Sequence, residues 1–202
     1  MMKKIATLLP GIAALTLAAC STAPGPVEVT RFVAPERISL LGEGSIRVES
    51  GVGDGQDSLA FRPYENAVAA ELASLGYSAA AQGVADQIAT VTVERYVITR
   101  EGRRSPVNVG VGGSTGSYGS GVGLGIGINL GGGRRDQVGN ELAVTIRDAE
   151  SGEVFWEGRA DLRVDDNSPL AQSEANAQTL AAALFSDFPG NNGQTIEVEV
   201  PK

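Results

Sequence analysis

Between Gly110 and Gly133 the chain carries 12 glycines in 24 residues. A stretch of that kind has little side-chain surface to bury and a large backbone entropy to lose, so it cannot be a packed helix. It divides the sequence into two parts that must build one core across it. Its second half, Gly121 to Ile128, alternates glycine with aliphatic residues. As a strand it would place Val122, Leu124, Ile126 and Ile128 on one face and bare backbone on the other. Each interior glycine costs about 0.5–1 kcal/mol relative to alanine, so Gly121, Gly123, Gly125 and Gly127 together oppose the strand by roughly 2–4 kcal/mol. A hairpin that extends a sheet and lays its apolar side on the domain's helices would offset this.

The flanks of this segment suggest a second use. Arg103 and Arg104 precede it, and Arg134 and Arg135 follow it. If the segment folds back on itself, these guanidinium groups meet at its base. An apolar tip above an arginine collar suits insertion beside phosphate headgroups, or docking of another chain's backbone on the glycine face. The plainer account is a solvated base neutralised by the chain's own carboxylates. The candidate contact set is therefore Arg103, Arg104, Val122, Leu124, Ile126, Ile128, Arg134 and Arg135. Neither the glycine spacing of a dinucleotide fold nor a Gly-Lys-Ser/Thr phosphate loop is present.

The start of the chain reads as an address. Met1 to Lys4 is short and basic, and the apolar run Ile5 to Ala19 follows, interrupted by Thr7, Pro10, Gly11 and Thr16. This is the layout of a secretory signal, too short and broken for a stable membrane span. It ends Leu17-Ala18-Ala19-Cys20, which resembles the bacterial lipobox. That resemblance implies cleavage between Ala19 and Cys20 and acylation of Cys20, the only cysteine in the chain. Several acyl chains, at about 0.8 kcal/mol per buried methylene, hold a protein on a bilayer where one would not. Ser21 stands where an Asp would imply retention in the inner membrane, so the expected location is the outer membrane, facing the periplasm. Removing residues 1–19 deletes Lys3 and Lys4 and takes the side-chain charge from −8 to −10. Residues 20–35, punctuated by Pro24 and Pro26, read as the lipidated cysteine and an extended tether.

Residues 36–202 read as one α+β domain with a Gly-rich insertion at 105–135. Ile38, Leu40, Ile46 and Val48 alternate around Gly42-Glu43-Gly44, predicting a strand kinked at the glycines. Pro63 opens a helix whose face is Tyr64, Val68, Leu72 and Leu75, and Gly76 stops it. Ile88 to Thr99 is β-branched, with Ala89, Val91, Val93 and Val97 on one face. Leu142, Val144 and Ile146 repeat the alternation before a turn at 148–152 returns the chain through Trp156. Asn167-Ser168-Pro169 starts a second helix carrying Ala177, Leu180, Ala181, Leu184 and Phe188, ended by Pro189-Gly190. Ile196, Val198 and Val200 form a closing strand. The expected fold is two-layered: a mainly antiparallel sheet, two helices on one face, and the Gly-rich hairpin as an extension.

Tyr64 through Gly76-Tyr77, Ala85-Asp86 before a β-branched strand, Leu142-x-Val144-x-Ile146-x-Asp148, Ser151-Gly152-x-x-x-Trp156-x-Gly158 and Phe188-Pro189 form a recognisable series. Together they resemble the domain of unknown function 4136, carried by lipoproteins of Gram-negative bacteria, over about residues 30–200. The resemblance implies no catalytic residues, since that family has no established activity.

The chain has no histidine and one cysteine, which removes the commonest general base and the commonest zinc ligands. Its serines have no base to activate them. Net negative charge opposes nucleic-acid binding. Asp54 with Asp57, Asp148 with Glu150, and Asp161, Asp165 and Asp166 are the acidic candidates; turn and helix-start roles cover them, and no calcium-loop spacing appears. Trp156, in an alternating run, reads as a core anchor. The expectation is a non-enzymatic, lipid-anchored envelope protein without cofactor or metal, acting by binding or structural support, its partners the bilayer and an envelope protein. The alternative is an auxiliary subunit of an envelope transport or assembly complex working through the Gly-rich hairpin. A hydrolase built on paired carboxylates is the weaker rival.

Overall fold

The computed structural model describes residues 24–51, 59–80, 84–98, 104–106 (backbone only) and 137–200. Eight strands form one sheet: β1 Val27–Val33, β2 Ser45–Ser50, β3 Ser78–Ala79, β4 Gln87–Ile98, β5 Arg104–Pro106, β6 Gln137–Asp148, β7 Val154–Asp165 and β8 Thr195–Val198. Their spatial order is β3-β2-β4-β6-β7-β1-β8, with β5 also paired to β4. Most pairings are antiparallel, but β2 runs parallel to both β3 and β4. The mainly antiparallel expectation therefore holds in its coarser form. The Gly-rich hairpin lies outside the described residues.

The long strands follow from their composition. β4, β6 and β7 are each 12 residues long; β4 and β6 are rich in β-branched side chains, and the helix-side face of each strand is mainly apolar, broken by Gln87 and Arg95 on β4 and by Asn140 on β6. Leu142, Val144 and Ile146 of β6 stand opposite Val93, Val91 and Ala89 of β4, and opposite Ala160, Gly158 and Trp156 of β7. Helices α1 (Arg62–Ser74) and α2 (Ser173–Phe185) pack on each other and on this face. α1 buries Tyr64, Val68 and Leu72, the spacing expected from its sequence, and Pro63 stands in its first turn. Gly76, at φ +108°, closes α1 with a carbonyl of Gly42 where a side chain would need to be.

Several features depart from the sequence reading, among them the start of α2 at Ser173, after a separate 3-10 turn at Pro169–Ala171. Residues 27–33, taken as tether, are β1, an interior strand flanked by β7 and β8 with Val27, Val29 and Val33 buried. The short run Val-x-Val-x-x-x-Val alternates too briefly, between two prolines and a further one at Pro35, to stand out from an extended linker. Residues 35–40, expected as the first arm of a kinked strand, form a 3-10 turn instead, with Ile38 and Leu40 exposed. Pro35 at its start supplies the fixed φ that favours the turn over a strand. α2 stops at Phe185, before Phe188, where Ser186 turns extended (ψ 136°) and Asp187 takes a positive φ (53°), and Arg31 binds the carbonyls this leaves free.

That arginine is 4% exposed. Its Nε donates to Leu184 O at 2.9 Å, and Nη2 donates to Ala183 O and to Ser186 O at 3.1 and 2.6 Å. It satisfies the orphan carbonyls of the helix end from the neighbouring strand. Beside it Trp156 stacks on Phe185 with ring centroids 5.4 Å apart, and its Nε1 donates to Pro189 O at 2.9 Å. Trp156 is a core anchor, as its sequence position suggests.

Candidate functional site

The second face of the sheet is the chemically distinctive surface. On β7 the side chains facing away from the helices are Glu157, Arg159, Asp161, Arg163 and Asp165, alternating in sign. Register places further carboxylates directly across from the central one. Glu94 stands opposite Glu141, Glu141 opposite Asp161, Asp161 opposite Glu28, and Glu28 opposite Glu197. A transverse row of acids thus crosses β4, β6, β7, β1 and β8. Like charges directly opposite destabilise a sheet, so the row must be compensated.

Compensation comes from diagonal neighbours. Arg163 Nη2 donates to Glu28 Oε2 at 3.1 Å, and Arg159 Nη1 lies 3.8 Å from Glu141 Oε1. Arg163 Nε lies 2.9 Å from Asp161 Oδ1. That contact is an ion pair without hydrogen-bond geometry, since Oδ1 has no hydrogen-bond partner among the described residues. The Tyr96 hydroxyl donates to Asp161 Oδ2. Its ring lies across β6 at Gly139, where an added Cβ would fall 2.1 Å from Tyr96 Cζ. Gly139 therefore opens the lane by which a β4 phenol reaches a β7 carboxylate. Burial, then the hydrogen bond to Asp161, pushes the Tyr96 phenol above its ordinary value; the contact with Tyr96 leads those raising Arg163.

This face is strand-borne and carries more carboxylates than guanidinium groups, several of them paired. Such a face can bind a complementary polar surface. A shallow depression of about 350 Å³ lies elsewhere, between the helices, lined by Leu59, Arg62, Asn66, Glu174 and Gln178 among others. Among the described residues no group of three or more acidic or cysteine side chains could hold a metal ion. No described helix is long and apolar enough to cross a membrane. On the helix side Asn140, 1% exposed, has an Nδ2 without a hydrogen-bond partner among the described residues.

Of the residues singled out from sequence, Ala19, Cys20, Arg103, Val122, Leu124, Ile126, Ile128, Arg134 and Arg135 lie outside the described residues, as do Asp54 and Asp57. Arg104 begins β5 and stands opposite Ile98. Asp148 caps its own turn: Oδ1 accepts from Ser151 N, Ser151 Oγ and Glu150 N at 2.7–3.1 Å, which holds its carboxyl below the usual range. Asp161 belongs to the Tyr96–Arg163 network rather than to an acid pair. Ser168 caps the 3-10 turn Pro169–Ala171 that precedes α2. The acid row was not foreseen. Its signal in sequence was the sign alternation on β7, but its length depends on the pairing register of β4, β6, β7, β1 and β8.

Residues 44–190 match the family described as a domain of unknown function (DUF4136). The chain belongs to that family. The match runs from β2 through the aromatic cluster at Phe188, so Gly139, Asp161 and Arg163 lie within the DUF4136 span while β1 and β8 lie outside it. No curated protein matches the chain. Among solved structures, a PDZ domain protein from Parabacteroides distasonis aligns at 11% identity and a TM-score of 0.49, covering 86% of this chain and 39% of that one. A PelC dodecamer from Paraburkholderia phytofirmans aligns in two crystal forms. These give 16% and 13% identity, TM-scores of 0.44 and 0.46, 79% and 82% of this chain, and 95% and 99% of that one. This chain thus spans well under half of the first of these proteins. Likeness at this level says nothing about chemistry.

Proposed function

We propose that this DUF4136 protein is a lipid-anchored component of the bacterial outer membrane, facing the periplasm, that acts by binding or structural support rather than catalysis. The observation that carries this reading is the position of Cys20, the only cysteine, immediately after an apolar run ending Leu17-Ala18-Ala19. The ionisable groups of the open sheet face support the non-catalytic part: Tyr96, Asp161, Arg163 and Glu28 are committed to one another. A general acid or base needs a free partner position toward substrate, which such mutual pairing consumes.

Mass spectrometry of the mature N-terminus tests the anchor. The expected product begins at Cys20 and carries acyl mass on that residue, and Cys20→Ser gives unprocessed or soluble protein. A freely diffusing natural protein with an unmodified sulfur overturns the reading. Deleting residues 110–133 separates support from service in a transport assembly. A folded, correctly located monomer with unchanged neighbours favours the former, and loss of a defined complex the latter.

A further inference from the structure

Strand register fixes which end of the sheet each chain segment enters and leaves. Val27 is level with Leu162 of β7, one position beyond the Glu28–Asp161 pair, so residues 24–26 lie beside the last residues of that strand. Leu162 is level with Asn140, and Asn140 with Arg95. The N-terminal chain therefore enters at the end of the sheet formed by Ile98, Gln137 and Asp165. Both described edges of the Gly-rich insertion sit at that same end. Arg104 of β5 and Gln137 of β6 flank Ile98 on either side of β4. The hairpin turn at residues 149–152 lies at the opposite end, beyond Arg147 and Val154.

The interior position of β1 shortens the leash decisively. Between Cys20 and Pro24 the chain spans at most about 14 Å, whereas a tether running to residue 35 would span roughly 50 Å. β6, 12 residues long, extends about 35 Å from one end of the sheet to the other. A leash less than half that length holds the attached end at the surface and lets the other end stand clear.

We infer that the end carrying Ile98, Gln137 and Asp165 is the bilayer-facing end of the domain, so that Arg104 and Gln137, the described edges of the Gly-rich insertion, stand toward the headgroups. The inference rests on acylation of Cys20, so its test reports the two separately. At this end Asp165 and Asp166, at or just past the end of β7, oppose approach to anionic lipid while Arg104 of β5 favours it, so the orientation follows from the leash and not from net charge.

The test uses the full-length lipidated protein in phosphatidylethanolamine–phosphatidylglycerol vesicles with a headgroup-attached quencher. Gln137→Cys and Glu150→Cys each place one thiol on an exposed position, at the near and far ends, for a maleimide fluorophore. Acylated Cys20 is unreactive, so one dye per chain reports an intact anchor. The expected result is vesicle flotation, one dye per chain, and quenching at 137 roughly threefold or more that at 150, given about 35 Å between them. Inserting 20 Gly/Ser residues between Thr22 and Ala23, a coil of about 25 Å, should bring the quenching at 137 down toward that at 150. Flotation with one dye per chain but equal or reversed quenching, or none at either site, overturns the orientation while the anchor stands. Two dyes per chain without flotation overturns the anchor and the orientation with it.

Discussion

The two faces of this sheet are made by the same strands and held together in different ways. The face under α1 and α2 is filled by Leu142, Val144, Ile146, Trp156, Ala160 and Leu162, all at most 1% exposed. The other face is a lattice of carboxylates, arginines and threonines, stabilised by who stands diagonal to whom. One face depends on volume, the other on register. Volume errors are expensive because an interior near crystal density has nowhere to put a void. Register errors on a wet face are cheaper, because water and salt stand in for a lost partner.

The contrast predicts a graded series of losses, measured as unfolding free energy in urea. Trp156→Ala removes the centre of the aromatic cluster and should cost about 3–5 kcal/mol. Gly158→Ala probes the same spot by overfilling: its Cβ would lie 2.3 Å from the Trp156 ring and 2.8 Å from Leu184, and about 1–3 kcal/mol is expected. Arg31→Met leaves the last carbonyls of α2 without donors and should cost about 2–4 kcal/mol, with faster amide exchange confined to the end of α2. Arg31→Lys should recover part of this, since it keeps the charge and loses the fork.

Tyr96→Phe is the test that joins the two faces' logics, because a buried ring carries a hydroxyl into the charge lattice. It should cost about 1–2 kcal/mol. The Tyr96 phenol is raised in the folded protein, so its stabilisation is full below the ordinary tyrosine value near 10 and is lost as pH rises through the higher folded value. Tyr96→Phe should therefore flatten the alkaline fall in stability. Glu28→Gln, which breaks the pair with Arg163 but also relieves repulsion from Asp161 and Glu197 opposite, should cost less than about 1 kcal/mol, the loss shrinking in molar salt. If Glu28→Gln cost as much as Trp156→Ala, the distinction between the faces would fail.

The smallest effect is an acid one. Hydrogen bonds from Ser45 hold the Asp86 carboxyl below its ordinary value, as those from Ser151 do for Asp148. The stability they lend is present above the unfolded carboxylate value near 4 and is lost as pH falls through the lower folded values. Ser45→Ala should make the acid limb shallower in a pH titration of unfolding.

Much of the helix-side face was legible in the sequence, because burial writes itself as periodicity. Tyr64, Val68 and Leu72 announce α1, and Leu142, Val144 and Ile146 announce β6. The returning strand was legible from the turn that Asp148 caps. β1 was not, since seven residues between prolines carry too short a pattern and their partners lie over 120 residues away. The ends of α2 are not legible locally: it begins at Ser173 after a separate 3-10 turn and breaks at Ser186–Asp187, three residues before the proline that signals a stop. The open face was legible only strand by strand. Glu94 and Glu141 are adjacent through pairing across the insertion, and no local pattern states that pairing.

The placement of β1 also sets the order in which this fold can be completed. Its ladder partners are β7 and β8, both near the opposite terminus, so its closure must wait for almost the entire polypeptide. During synthesis this segment is thus among the first to emerge and the last to find its place. Until then Val27, Val29 and Val33 have no strand to cover them, and the interval before β7 and β8 are made is the time when this protein most needs a chaperone's protection.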